Sequence, residues 1–473
     1  MSRGSGWRAI IVLATPVVIS KLSFTAMGIV DTAMVGHLGP TEQGAVGLAT
    51  TLMFTLYVFG LGLVGVVNTY VSQHHGAGKP DRCGADLGAG LRMAVVVGSV
   101  TWGLLMLSAP TFRWVGLGEG ISELGYRYLF FRGIGIAGVF GYWAYNGYME
   151  GLGHTRTPML ITIAANILNI ALDYALIFGI GPIPAMGVDG AGLATGLSNM
   201  FMLACFVAVV HGRPLYRGFG SARVLAAVRW SQMREMVRVG LPMGFQFFIE
   251  VGAFLVMTII IGWLGDVALA ANQVALRLMS ISFMTAWGIS VSATTLVGRH
   301  QGEGRPDLAA LAGRRTIALF LVVGTFCALL YNVAPWQLVR LFSPYPDVQQ
   351  AAVQLLMIAA VFQMFDGVNM VSYGALKGAG DTRWPLVAVT CVSWGIGIPL
   401  TFLLAFTLGL GIVGAWTAST VMIACEAALL FGRFHGGRWK TIKLVDPDQA
   451  EPPATPRLDA RGATGGPTPR KTA

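Results

Sequence analysis

Twelve stretches of this chain are each long and apolar enough to cross a bilayer, which points to an all-α bundle of membrane helices. They run 9–36, 44–71, 87–109, 121–145, 158–181, 187–211, 239–262, 267–298, 312–333, 348–374, 384–406 and 412–432. Each meets the requirement of about 20 predominantly apolar residues. The first is too long, and too polar at Lys21 and Asp31, for a cleavable signal, and no small-residue cleavage site comes after it. It is expected to stay in the protein. Only 11% of the 473 residues are charged, against about a quarter in a soluble domain. A single soluble core also stops growing at roughly 250–300 residues. Lipid is therefore the expected solvent, and secreted, fibrous and nucleic-acid-binding classes are disfavoured. The expected location is the plasma (inner) membrane.

The basic residues set the expected topology. Alternate connectors carry Arg3 and Arg8; Lys79 and Arg82; Arg156; six arginines between 213 and 238; Arg299, Arg305, Arg314 and Arg315; Lys377 and Arg383; and Arg433, Arg438, Lys440 and Lys443. The opposite connectors offer only Arg113 and Arg340. By the positive-inside rule the first set and both termini face the cytoplasm. The net charge of +10 then reads as a topology signal rather than as a sign of acidic partners. Within the connector 212–238, Val224–Val239 is expected to lie as an amphipathic helix along the inner leaflet. The tail 436–473 is expected to be a disordered cytoplasmic segment. Cys83, Cys205, Cys327, Cys391 and Cys425 are isolated, with no disulfide or zinc spacing.

The chain also repeats itself. A shift of 226 residues pairs Pro16 with Pro242, Gly36 with Gly262, Gly39 with Gly265, Gly62 with Gly288, His74 with His300, Gly76 with Gly302 and Pro80 with Pro306. A shift of 227 pairs Gly151–Arg156 with Gly378–Arg383. A shift of 224 pairs Gly187, Gly190 and Ala191 with Gly411, Gly414 and Ala415. Three blocks in one order at nearly one offset mark a duplication. The expected units are a six-span bundle at 1–211, a basic linker at 212–238 and a second six-span bundle at 239–435. Six is even, so both halves enter the membrane from the same side and are parallel repeats about an axis along the membrane normal. Parallel repeats flanking a central space are a transporter architecture, which outweighs the reading of a mere scaffold.

Val30-Asp-Thr-Ala-Met-Val-Gly36 with Gly39, the HxGxGxP loops at His74–Pro80 and His300–Pro306, and the two GxGxTRxP loops resemble the multidrug and toxic compound extrusion (MATE) transporters, in their NorM-like branch. The resemblance covers roughly residues 10–435. It implies two six-helix bundles around a V-shaped cavity, and cation-coupled drug export.

Five acids fall inside the spans: Asp31, Asp173, Glu250, Asp366 and Glu426. Each costs roughly 2.5–3.5 kcal/mol on insertion scales and needs a reason. At 1.5 Å of rise per residue, Asp31 lies ~8 Å and Asp173 ~12 Å from the outer ends of their spans. Glu250 lies ~16 Å and Asp366 ~12 Å from the inner ends of theirs. Each pair is at compatible depth within one half. Asn169 precedes Asp173 by one helical turn, and Thr195 is placed at similar depth. Asp31, Asn169, Asp173 and Thr195 would offer oxygen ligands for Na⁺, or a protonatable pair. Two carboxylates in a dry pocket do not both ionise cheaply, so such a pair takes up a cation or a proton. Cation binding and substrate loading then become mutually exclusive, which is the basis of antiport. The resemblance places the family's first-span aspartate on Asp31 and its fifth-span Asn-x-x-x-Asp on Asn169 and Asp173. It places the Na⁺-coupled branch's seventh-span glutamate and tenth-span aspartate on Glu250 and Asp366. A bland reading pairs these acids with Lys21 or Arg277 as structural ion pairs. Glu426 is expected to reach the nearby interface, and Arg92, Arg127 and Arg132 are given no transport role.

Other motifs carry no chemistry. Gly60–Gly65 and Gly133–Gly138 match GxGxxG but lie in apolar helices, as packing glycines. No GxxxxGK[ST] occurs, and His74 and His300 are expected to form turns. The leading expectation is a monomeric exporter of amphipathic organic cations driven by inward Na⁺ or H⁺, with no cofactor. Cavity acids suit cationic drugs, and Met and aromatic side chains suit loose contact. A lipid-linked precursor flippase of the same superfamily is second, and calls for a basic cavity. An integral membrane transferase is third, and no catalytic cluster supports an enzyme.

Overall fold

The computed structural model describes residues 6–108, 119–182, 184–221, 224 and 230–445. Arg113, Arg223, Arg229, positions 225–229 of the expected amphipathic helix and the tail from 446 lie outside the described residues.

Lipid leaves a backbone no water to bond with, so a spanning segment must satisfy its own N–H and C=O groups. The described residues accordingly form helices and no strand. Among the described residues, eleven helices are long and apolar enough to cross a membrane. They are α1 (Trp7–Gly36), α2 (Pro40–Gly76), α3 (Pro80–Leu107), α5 (Arg156–Phe178), α6 (Val188–Gly212), α7 (Trp230–Gly262), α8 (Asp266–Gly302), α9 (Pro306–Val333), α10 (Pro346–Ala379), α11 (Arg383–Thr407) and α12 (Gly411–His435). The twelfth stretch, α4, is broken into α4a (Glu119–Gly133) and α4b (Ile136–Gly151). Glycine is a poor helix former, and two of them flank the break. The break also permits a close crossing: a Cβ on Gly135 would lie 2.5 Å from the Gly196 Cα of α6. The GxGxxG glycines are thus packing glycines as expected, but the helix is not continuous through them.

An even number of crossings puts Trp7 and His435 on one side of the membrane, called here the terminal side. The halves join there by a symmetric exchange: α1 packs on α8, and α7 packs on α2. The 226-residue shift converts one pairing into the other. At its terminal end the seam is built on small residues. A Cβ on Gly76 would lie 1.9 Å from the Arg299 carbonyl oxygen, and one on the equivalent Gly302 would lie 2.0 Å from the Gln73 carbonyl oxygen. Gly62 meets the Gly244 backbone in the same way, at 2.6 Å. Polar bonds reinforce the closure. Thr69 Oγ1 donates to the Lys377 carbonyl at 3.2 Å, and Gln73 Nε2 to the Gly378 carbonyl at 2.9 Å. Thr295 Oγ1 reaches Asn68 Oδ1 at 3.2 Å and the Glu150 carbonyl at 3.1 Å.

Deeper in, an aromatic layer spans the seam. Trp143 of the first half stacks with Trp287 of the second at 6.1 Å. The Lys21 ammonium sits 4.2 Å from the first ring centroid and 5.3 Å from the second. A desolvated cation over a tryptophan face gains about 2 kcal/mol, which helps a buried lysine tolerate this depth.

Two expectations need correcting. Residues 230–239 belong to the continuous helix α7 rather than to a separate amphipathic helix, because the apolar periodicity of the span begins before its hydropathy does. Residues 436–445, expected to open a disordered tail, are packed. Trp439 is fully buried, stacked on Phe434 at 5.1 Å. Gln301 Nε2 holds the carbonyls of Lys440 and Ile442 at 3.2 and 3.0 Å. The twin loops behave as turns: Gly78 and Gly304 take φ of +69° and +68°, and Lys79 and Arg305 donate back to the carbonyls of His74 and His300, each at 2.9 Å.

Gly76→Val and Gly302→Val should each lower the melting temperature of the purified protein, because overpacking a tight crossing costs about 1–3 kcal/mol. Gly103→Ala, where a Cβ meets nothing within 4 Å inside α3, should not lower it.

Candidate functional site

In the first half, α5 packs between α1 and α6, and brings three helices' polar residues together. Asp31 stands five residues before the end of α1, and Asp173 five before the end of α5, so the two carboxyls meet at one depth. Asn169 lies one turn along α5 from Asp173, on the same face. Thr195 of α6 donates to Asp31 Oδ2 at 3.3 Å, sharing its hydrogen with the Ala191 carbonyl at 3.0 Å. All four are at least nine-tenths buried, and Asn169 and Asp173 are completely so.

Asp31 Oδ1, both carboxylate oxygens of Asp173, and both side-chain polar atoms of Asn169 have no hydrogen-bond partner. Two ionised carboxylates have no proton to donate to each other, so the Asn169 amide and the Thr195 hydroxyl are the donors at hand, fewer than the lone pairs that face them. An unsatisfied buried group costs about 1–3 kcal/mol, and more when charged. A proton on one carboxyl would supply the missing donor, and a small cation would satisfy several oxygens at once.

The bland ion pairs do not form. Lys21 is engaged by the tryptophans, and Arg277 is exposed. The charge that does act on Asp31 and Asp173 is Arg132, at the end of α4a. It bonds the Tyr128 hydroxyl and reaches Thr50 Oγ1 at 3.5 Å, while its Nε has no partner. Sequence reasoning gives Arg132 no role. The signal is available there, since an arginine inside an apolar span needs a reason as much as an aspartate does. Arg127, by contrast, pairs with Asp189.

In the second half, Glu250 of α7 and Asp366 of α10 line a cavity of about 280 Å³. Its other walls include Phe254, Met257, Met279, Phe362 and Trp416, an adaptable apolar surface with two acids on it. Glu426 corrects an expectation: its carboxylate turns into the bundle and is fully buried. It accepts from Ser393 Oγ at 2.6 Å and from Asn369 Nδ2 at 3.3 Å. Ser393 begins a π-helical turn, Ser393–Gly397, inside α11. Such turns recur at functional sites because they shift a helix's register and re-aim side chains. The charges of Glu250, Asp366 and Glu426 act on one another. The two acid groups remain in separate halves. Among the described residues, no three His, Cys, Asp or Glu side chains converge tightly enough to hold a metal ion by themselves. A cation in either half would therefore lean on amide, hydroxyl or carbonyl oxygens as well.

A protein-family model described as MatE matches residues 16–175 and again 242–403, so its two matches open on Pro16 and Pro242, the pair superimposed by the 226-residue shift. A probable multidrug resistance protein NorM of Bradyrhizobium diazoefficiens is 33% identical over 432 residues, covering 89% of this chain and 92% of its own length. The probable multidrug resistance protein NorM of Pseudomonas aeruginosa is 31% identical, covering 93% and 90%. Among solved structures, that of a MATE protein in a bent conformation superimposes with a TM-score of 0.84 at 20% identity, over 93% of this chain and 97% of that one.

Glu426→Leu strands the Ser393 hydroxyl and the Asn369 amide, and should destabilise by about 1–3 kcal/mol. Glu426→Gln keeps an acceptor and should cost less. Thermal unfolding of the two purified variants checks the order.

Proposed function

This chain belongs to the MatE family, the multidrug and toxic compound extrusion transporters, and from that premise we propose that it exports amphipathic organic cations in exchange for inward Na⁺ or H⁺. It is a multi-pass membrane protein and a multidrug efflux transporter. The observation that carries the antiport reading is the set of unpartnered buried atoms on Asp31, Asn169 and Asp173. This group lacks one positive charge or one proton. Whichever cation supplies it excludes the others, because a second one would meet a neutralised site.

Glu250 and Asp366 present the same choice on a larger scale. Their cavity offers methionine and aromatic surface to a bulky organic cation, and carboxylates to its charge. The basic connectors support a cytoplasmic terminal side by the positive-inside rule. The tight seam then faces the cell interior, and the outer halves of α1 and α5 carry the coupling acids. Cation binding there favours a rocking of the halves that opens the inner side to drug. The transporter works as a monomer in the plasma (inner) membrane, with no cofactor beyond the coupling ion.

Asp31→Asn should yield an expressed, folded protein whose ethidium efflux from proteoliposomes falls by about tenfold or more, the equivalent of about 1.4 kcal/mol or more. Wild-type efflux by that variant would remove Asp31 from the mechanism. Running the assay under separate Na⁺ and pH gradients identifies the coupling ion. Lipid-headgroup translocation without cation-driven dye efflux would instead favour the flippase.

A further inference from the structure

A second, polar cavity lies on the terminal side, outside both acid groups. Its volume is about 620 Å³. Four segments meet around it: the start of α7, the loop between α10 and α11, the packed residues 442–444, and Tyr70 of α2. It therefore draws on both halves of the chain.

Its charge balance is positive. Arg238, Arg383 and Lys443 line it, against Glu235 and Asp381. Asp381 is already committed, since its Oδ2 accepts from Arg433 Nε at 2.7 Å. Three cations then face one uncommitted carboxylate. Two neutral donors add to them. Tyr70 is 4% exposed and Thr382 is 3% exposed, both line the cavity, and among the described residues neither hydroxyl donates a hydrogen bond. Thr382 stands at the N-cap of α11 but does not cap it. Both hydroxyls open onto the cavity, where the acceptor oxygens of an anion can reach them.

The depth fits the membrane surface. Arg238 immediately precedes the apolar span that begins at Val239, which is the level of the headgroups. Guanidinium groups bind phosphate through paired N–H donors, and lysine contributes a point charge.

We propose that this pocket binds a phosphate-bearing anion, supplied either by the headgroup of an anionic phospholipid or by free phosphate. The anion takes the Arg238, Arg383 and Lys443 charges and satisfies the Tyr70 and Thr382 hydroxyls. Because Tyr70 belongs to the first half and the cations to the second half and its flanking segments, occupancy ties the halves together at the terminal side. The assignment is independent of what the protein exports.

The test uses the full-length protein purified in detergent. Native mass spectrometry counts retained phosphatidylglycerol, with phosphatidylcholine as the zwitterionic comparison. Thermal unfolding in inorganic phosphate, against chloride at matched ionic strength, forms the free-anion arm. Arg238→Gln combined with Arg383→Gln should weaken binding about tenfold. Tyr70→Phe and Thr382→Val each remove one cavity-lining hydroxyl that donates no hydrogen bond among the described residues, so they should fold normally and still weaken binding severalfold. Arg156→Gln with Arg305→Gln, exposed arginines away from the pocket, should bind as wild type. Response to phosphatidylglycerol alone identifies the lipid, response to phosphate alone the free anion, and response to both the phosphate group itself. Equal retention of both lipids by every variant, with no protection by phosphate, overturns the proposal.

Discussion

The structure depends on one constraint: a carboxylate inside a helix bundle in lipid must find positive charge or protons. Most of the chain obeys the simpler rule that spanning helices are apolar and satisfy their own backbones. Asp31, Asp173, Glu250, Asp366 and Glu426 break it. Glu426 is partly reconciled by Ser393 and Asn369. Asp31 and Asp173 are not, because Thr195 donates to one oxygen and Arg132 acts on the pair as a nearby charge. The remaining deficit is the proposed seat of the coupling cation.

That deficit becomes useful only if the halves can move. Their seam has features suited to alternation. It is built by symmetry-related pairs, α1 on α8 and α7 on α2, and by backbone contacts at Gly62, Gly76, Gly244 and Gly302. Small residues let helices pack closely without interlocking long side chains. The hydrogen bonds described across it are neutral, and the Lys21 ammonium adds a cation–π contact to Trp287, so the closed arrangement has a modest energy to give up. In the proposed cycle the binding free energy of the coupling cation is set against these contacts.

Much of this is legible in the sequence because lipid is a demanding solvent. The twelve spans come from the length a bilayer requires, the duplication from paired glycines, and the polar group of Asp31, Asn169, Asp173 and Thr195 from depth and helical phase. The failures share a cause: hydropathy averages say nothing of where a backbone breaks or a side chain turns. The interruption of α4 at Gly133–Gly135 is invisible to them for that reason. Arg132 escapes notice although the rule applied to the acids applies to it. Glu426 reads as interfacial because hydropathy ends α12 too early, and the π-helical turn that presents Ser393 has no sequence signature. The packing of residues 436–445 is masked by the Pro- and Arg-rich composition of residues 446–473, while Trp439, with Ile442 and Leu444, packs the segment onto the bundle.

The central claim is that ion uptake and drug binding are mutually exclusive ways of neutralising the buried acids of the two halves. Calorimetric binding of tetraphenylphosphonium to the protein in nanodiscs, repeated in buffers of different ionisation enthalpy and with and without Na⁺, tests it directly. The account predicts that drug binding releases close to one proton, or is weakened in proportion to Na⁺, and that Asp31→Asn with Asp366→Asn abolishes this linkage. Tight binding with neither proton release nor Na⁺ competition would contradict it.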